Sequence, residues 1–307
     1  NHMLVRGINE FTPHAFSMKY PDPDCPPHFY ARGNNPQFKA FGVLMQYMNR
    51  MSHILTEARH IARAAVLYQA EAEWSGAKFD YSESVGKVLY DNQIDYDIVS
   101  IDSLKDAISE SGKLKINRAE YDCFIVPHST ALPIGAIKKL YELSQSGVNV
   151  VYADAYPEHS NEGVSINKYI QDSENLSVVK TEEIAEYMQS HGFVDVLCKE
   201  KSDTNRFLRV FRCERNGNGI YMLNNENETR EIDTPIRFKN FGGGDYIIYD
   251  AMANSAKRGY SADGKIKIKL SPYSSVVIIT GKVSKDLPKA DALKSMGKTA
   301  LNGVYEL

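Results

Sequence analysis

The side chains of this sequence that stand in patterns able to do chemistry fall into three groups. The first is carboxylates: Glu10, near an opening apolar segment that reads as a short strand, and Glu71 with Glu73 in AEAEW, just after an apolar run. Cleavage of a glycosidic bond with retention needs two carboxyl groups about 5 Å apart, one passing a proton and one attacking carbon. On an extended chain, residues two apart face the same side. Glu71 and Glu73 would then share a face, although an exposed turn after a strand accounts for them equally well. The second group occupies a stretch rich in aromatics and proline, with His14, His28, Phe16, Phe29, Tyr30 and Arg32. Imidazole and guanidinium bond to hydroxyls while rings stack on sugar faces, which is the chemistry of a sugar subsite. The competing account is that these residues brace a proline-rich loop. Trp74, beside Glu71, completes the set of candidate substrate-binding residues. The third group is Pro127-His128-Ser129-Thr130, following an apolar run that contains Cys123. An amidase or hydrolase needs its nucleophile on a sharp turn between glycines. Gly-x-Cys-x-Gly is absent here, Cys123 lies in mid-run, and Ser129 has no flanking glycine, so no residue is assigned a catalytic role. The loop at 128–133 is still placed for ligand binding, because crevices of open α/β sheets lie at the carboxyl ends of strands.

The elements that must position these groups are read from periodicity. Val148 to Ala155 (VNVVYADA) is a continuous apolar run, as a buried parallel strand requires, and Ala62–Gln69 and Tyr121–Pro127 repeat the pattern. Between and after them the spacing predicts helices near Ser82–Asn92, from Ser103 to about Ser111, from Pro133 to Ser146 and over Thr181–His191. Strands are predicted at Tyr96–Ser100, Leu176–Val179 and Val194–Leu197. Strand, helix, strand order implies a flavodoxin-like or class I glutamine amidotransferase-like parallel α/β sheet. Upstream, Pro36 to Ile61 reads as a long helix with Phe38, Phe41, Leu44, Met45, Met48, Met51 and Leu55 at three- and four-residue spacing. Its apolar set covers more than one face, which predicts an exposed patch. Past residue 205 the period becomes two, with turn signals between short runs, as in an antiparallel β-sandwich. Gly242-Gly243-Gly244 lies among these strands, precedes no helix, and reads as a hairpin turn rather than a phosphate cradle. The expected divisions are 1–61, 62–204, 205–283 and 284–307, the last a linker or the start of a further module.

Bulk properties exclude several partners. Among 307 residues the net charge is −3, and no Lys/Arg block supplies a footprint for nucleic acid or an anionic membrane. Cys25, Cys123, Cys198 and Cys213 are too scattered for a zinc site; Cys123 and Cys198 sit in apolar runs, as buried free thiols in a reducing cytoplasmic setting do. No metal or cofactor fingerprint occurs, and no run of eighteen apolar residues or charged-then-apolar leader points to a membrane. Asn1-His2-Met3 has the form of a cloning remnant.

Residues 7–76 carry a resemblance. GINEFTPHAFS, PDCPPHFYARGNNPQF, the helix LMQYMNRMSHIL and AVLYQAEAEWSG are similar to the segment of multidomain bacterial glycoside hydrolases where the last barrel strand passes into a following α/β domain. The α/β part resembles the amidotransferase-like trimerisation domain of family forty-two β-galactosidases, which a small β domain follows as it does here. The resemblance implies the accessory C-terminal portion of a glycoside hydrolase. Such a portion is non-catalytic alone, because the family's two carboxylates sit on barrel strands that would precede residue 1. It also implies carbohydrate and further copies of the chain as partners. A stand-alone carbohydrate-binding or oligomerising module is the alternative, followed by a hydrolase using the α/β sheet.

Overall fold

The computed structural model describes residues 1–13, 30, 33–198 and 203–283. After a short turn at Leu4–Arg6 comes α1 (Phe38–Leu55), which ends where Thr56 turns extended and Glu57 takes a positive φ. The chain then enters β1 (Arg59–His60) and the first strand of a parallel sheet, β2 (Ala64–Tyr68). It continues through α2 (Ala70–Trp74), α3 (Ser82–Asp91), β3 (Tyr96–Ser100), β4 (Cys123–Val126), α4 (Ile134–Gln145), β5 (Asn149–Ala153), β6 (Leu176–Val179) and α5 (Ile184–Ser190). The five strands are all parallel, in the order β6-β5-β4-β2-β3.

Both faces of this sheet are covered, which is why its strands read as unbroken apolar runs. Ala65, Leu67, Phe124, Val126, Val150 and Tyr152 pack with α4 through Ile137, Leu140 and Leu143. The alternate residues Ala64, Val66, Cys123, Ile125 and Val151 pack with α3 and α5 through Val85, Leu89, Ile184 and Met188. Gly86 lets α3 approach the sheet edge, since a Cβ there would stand 2.1 Å from the Tyr96 hydroxyl.

The second half is antiparallel and matches the expected β domain. Its strands are β7 (Val196–Cys198), β8 (Leu208–Arg215), β9 (Asn218–Asn225), β10 (Ile232–Phe238), β11 (Gly244–Asp250), β12 (Ser255–Ser261), β13 (Lys265–Leu270) and β14 (Ser275–Thr280). They form a six-stranded sheet, β1-β8-β9-β14-β11-β12, facing a three-stranded sheet, β7-β10-β13. Alternate residues such as Leu208, Val210, Leu223, Ile236, Ile266 and Ile278 close the core between them.

Four local expectations are corrected. The helix placed at 103–111 is a single turn, Ile101–Leu104, capped by Ser100, and a three-stranded meander over 108–121 follows it. Left-handed residues at Ser111, Gly112 and Asn117 make its tight turns. The opening apolar segment is the turn Leu4–Arg6, not a strand. Gly242 to Gly244 carry the chain from β10 in one sheet to β11 in the other, so they form a crossover and not a hairpin. AEAEW is helical, not extended.

α1 is divided along its length. Tyr47, Met51 and Leu55 are buried on the outer face of the six-stranded sheet against Phe211, Ile220, Met222 and Val277, while Val43 and Leu44 in its first half remain 55% and 45% exposed.

The two halves are joined by buried charge. Asp195, just before β7, accepts from Arg63 at 2.6 and 2.8 Å and pairs with Arg212 of β8; Arg63 also reaches Asp122 at 3.1 Å. His60 lies between Asp95 at 2.8 Å and Asp97 at 3.1 Å, stacked on Phe211 at 4.6 Å.

Candidate functional site

The carboxyl edge of the parallel sheet collects the chemistry-bearing loops. β2 ends into Gln69 and α2, β4 ends into Pro127-His128-Ser129-Thr130, and β5 ends at Asp154. Gln69 is 3% exposed and fastens the first two loops: its amide donates to the carbonyls of Asp80 and His128, both at 2.9 Å. Phe79 bridges to Ser129, and Ala131–Leu132 pairs in parallel with His159–Ser160. The result is a cleft of about 360 Å³ between residues 75–78, Thr130-Ala131 and the segment Glu158–Asn161. Lys78, Glu158, His159 and Asn161 line it, and Asn161 donates to the carbonyl of Glu71 at 3.3 Å. Three aromatics stand out around the same edge, with Trp74 79%, Tyr81 58% and Tyr68 50% exposed. Exposed rings beside polar side chains suit a sugar face or a partner surface.

The nucleophile candidates are positioned for structure. The Ser129 hydroxyl is buried and donates to the Ala131 carbonyl at 2.7 Å, which holds the loop closed. Cys123 is wholly buried at the start of β4 rather than in mid-strand, and burial pushes its thiol far above the usual range. Cys213 and Cys198 are also pushed up, to about 12, by burial. No thiolate is available near neutral pH at any of the three. Asp154 accepts from the amide of Thr181 at 2.9 Å and from its hydroxyl at 2.6 Å, which anchors the entry to α5.

Glu71 and Trp74 share α2, three residues apart and therefore on one side of the helix. Glu71 and Glu73 do not share a face: at about 100° per residue their side chains diverge by roughly 200°. This removes the geometric basis for a paired-carboxylate site there. Tyr30 packs edge-on against Phe38 at 5.2 Å, at the start of α1. His14, His28 and Arg32 lie outside the described residues. Sequence reading missed Lys78, Glu158, His159 and Asn161, which carry no motif and come together only through the short 131–132/159–160 pairing. It also missed Tyr68 and Tyr81, because an aromatic residue in sequence signals burial rather than exposure. Among the described residues, no cluster of three or more His, Cys, Asp or Glu is placed to hold a metal ion.

No protein-family model and no curated protein matches this chain. Solved structures do. A rhamnosidase from Novosphingobium sp. PP1Y superposes with a TM-score of 0.65 at 15% identity, over 84% of this chain and 26% of that one. A β-galactosidase from Bacillus circulans sp. alkalophilus gives 0.56 at 11% identity, over 82% of this chain and 46% of its own. The GH42 β-galactosidase Gan42B gives 0.53 at 10% identity, over 82% and 45%. At these identities the likeness is one of fold. This chain is similar to the α/β-plus-β portion of carbohydrate-cleaving enzymes and spans less than half the length of each.

Proposed function

We propose that this chain is the accessory portion of a glycoside hydrolase, non-catalytic by itself, which supports assembly or completes a sugar site. The observation that carries the reading is the coverage. More than four fifths of this chain is taken up by a segment that makes up only 26–46% of glycoside-cleaving enzymes. The site geometry favours the same reading, since the Ser129 hydroxyl is tied down, Cys123 is enclosed, and Glu71 and Glu73 point apart. The purified chain is expected not to hydrolyse aryl β-galactosides or aryl α-rhamnosides. Turnover that disappears on Glu71→Gln or Glu73→Gln would overturn the reading.

Self-association belongs to this proposal. The exposed Val43 and Leu44 give α1 an uncovered apolar surface next to Phe38 and Phe41. Sedimentation at tens of micromolar is expected to show an oligomer that Val43→Asp/Leu44→Asp shifts toward monomer. An oligomer unmoved by that pair would place the contact elsewhere, and a monomeric parent would remove this part of the proposal.

A further inference from the structure

The β domain has a second recess, at one end of the sandwich and apart from the crevice of the parallel sheet. On β8 the inward alternation Leu208, Val210 continues as Arg212 and Glu214, so the apolar inner face turns polar toward the strand's end. Residues 240–244 cross from one sheet to the other there and form a rim. Between that rim, the 217–219 turn and Gly281 lies a cleft of about 460 Å³, within the size range of small-molecule sites. Six of its lining residues are glycines, at 217, 219, 242, 243, 244 and 281, so much of its wall is bare backbone with amide donors and carbonyl acceptors.

We propose that this cleft binds a neutral, hydroxyl-rich ligand, a saccharide of one or two rings. Apart from Asp245 at the rim, its charges are matched internally. Arg212 pairs with Asp195 and, at 2.8 Å, with Glu214, and Glu214 also holds Arg59 at 3.0 Å. An anion would have to displace Glu214 from the guanidinium, and a cation at Glu214 would have to compete with Arg212 and Arg59. A neutral group that both donates and accepts disturbs neither pair. Arg212 is 2% exposed, lines the cleft, and keeps its Nε buried without a hydrogen-bond partner among the described residues. At the rim, the Asn240 amide and the Asp245 carboxylate make no hydrogen bond or ion pair among the described residues, leaving a donor-acceptor group and an acceptor facing solvent.

The choice of sugar rests on the accessory reading above; the location of the cleft does not. The test is amide-resolved NMR of the full chain titrated with galactobiose, with methyl α-rhamnoside, and with sodium sulfate as the anion. At least one sugar is expected to move the amides of the six glycines saturably, and sulfate is not. Asn240→Ala/Asp245→Ala, with a melting curve matching the parent, is expected to weaken that binding by about tenfold, the loss of one or two hydrogen bonds. Shifts confined to Lys78, Thr130 and His159, shifts with sulfate but not sugars, or no shifts up to about 50 mM sugar, a floor for any useful site, would each overturn the proposal. If the chain alone cleaved glycosides, the accessory reading would fall while saturable shifts at the six glycines still upheld the site.

Discussion

Asp195→Ala is expected to lower unfolding stability by about 3–5 kcal/mol, the cost of breaking a buried ion pair from one side. Asp195 is 6% exposed and serves two guanidiniums, Arg63 from the parallel sheet and Arg212 from the β domain. Its removal leaves Arg63 with Asp122 alone and Arg212 with Glu214 alone. Both arginines remain enclosed, with side chains only 12% and 2% exposed, so water replaces the lost carboxylate poorly. Because the residue ties the two halves together, the loss is expected to lower the urea midpoint of the whole transition. Asp195→Asn, which keeps a hydrogen-bond acceptor, is expected to fall between parent and alanine. A loss under about 1 kcal/mol for alanine, the level of a surface pair, would show that this charge does not join the halves.

His60→Gln is expected to remove the pH dependence of stability between pH 6.5 and 9. Burial opposes charge on this imidazole, but Asp95 and Asp97 on its two sides outweigh burial and raise its pKa from 6.5 to about 10. A group raised on folding contributes fully below its unfolded pKa and loses that contribution as pH climbs toward the folded one. The parent should therefore lose stability from pH 6.5 upward, on the order of 2 kcal/mol by pH 9 after allowing for a quarter-exposed ring. Asp95 works the other way. Its complete burial raises its pKa despite His60, so its ionised form carries a penalty that the imidazolium partly offsets. Asp97 is also pushed up by burial, but hydrogen bonds from His60 and Tyr121 bring it below its usual value. That contribution disappears only in acid. Above pH 9 the buried thiols begin to add a slope of their own, which sets the upper limit of the window. Urea midpoints at matched ionic strength measure the effect, and a variant retaining the parent's slope would assign it to another group.

The parallel sheet was readable because its signal is local. Leu176–Val179 falls where its short apolar run predicts, and α4 begins directly after Pro133. The misread stretch at 103–111 shows where locality fails. Leu104, Ala107 and Ile108 do recur at helical spacing, but the Ser111-Gly112 and Asn117 turns downstream fold the chain into a meander whose middle strand buries Leu114 and Ile116. The glycines at 242–244 look like a hairpin because sequence does not say which sheet each flanking strand joins. The charge network was not legible for the same reason: His60, Asp95, Asp195 and Arg212 come from four separate stretches and meet only after the sheets pair. Glu71 and Glu73 changed meaning on a single fact, a short helix where extended chain was expected.

The docking of α1 on the six-stranded sheet constrains the order in which a ribosome can complete this fold. The parallel sheet needs nothing beyond residue 190 or so and can close while the rest is still being made. Met51 and Leu55 must wait for Met222 and then for Val277, the latter more than 200 positions later in the chain. At roughly 5–20 residues per second of synthesis, the wait for Val277 is on the order of 10–40 s with an apolar helix face uncovered. Chaperone capture during translation is therefore expected to concentrate on this helix, and to end when the last strand emerges.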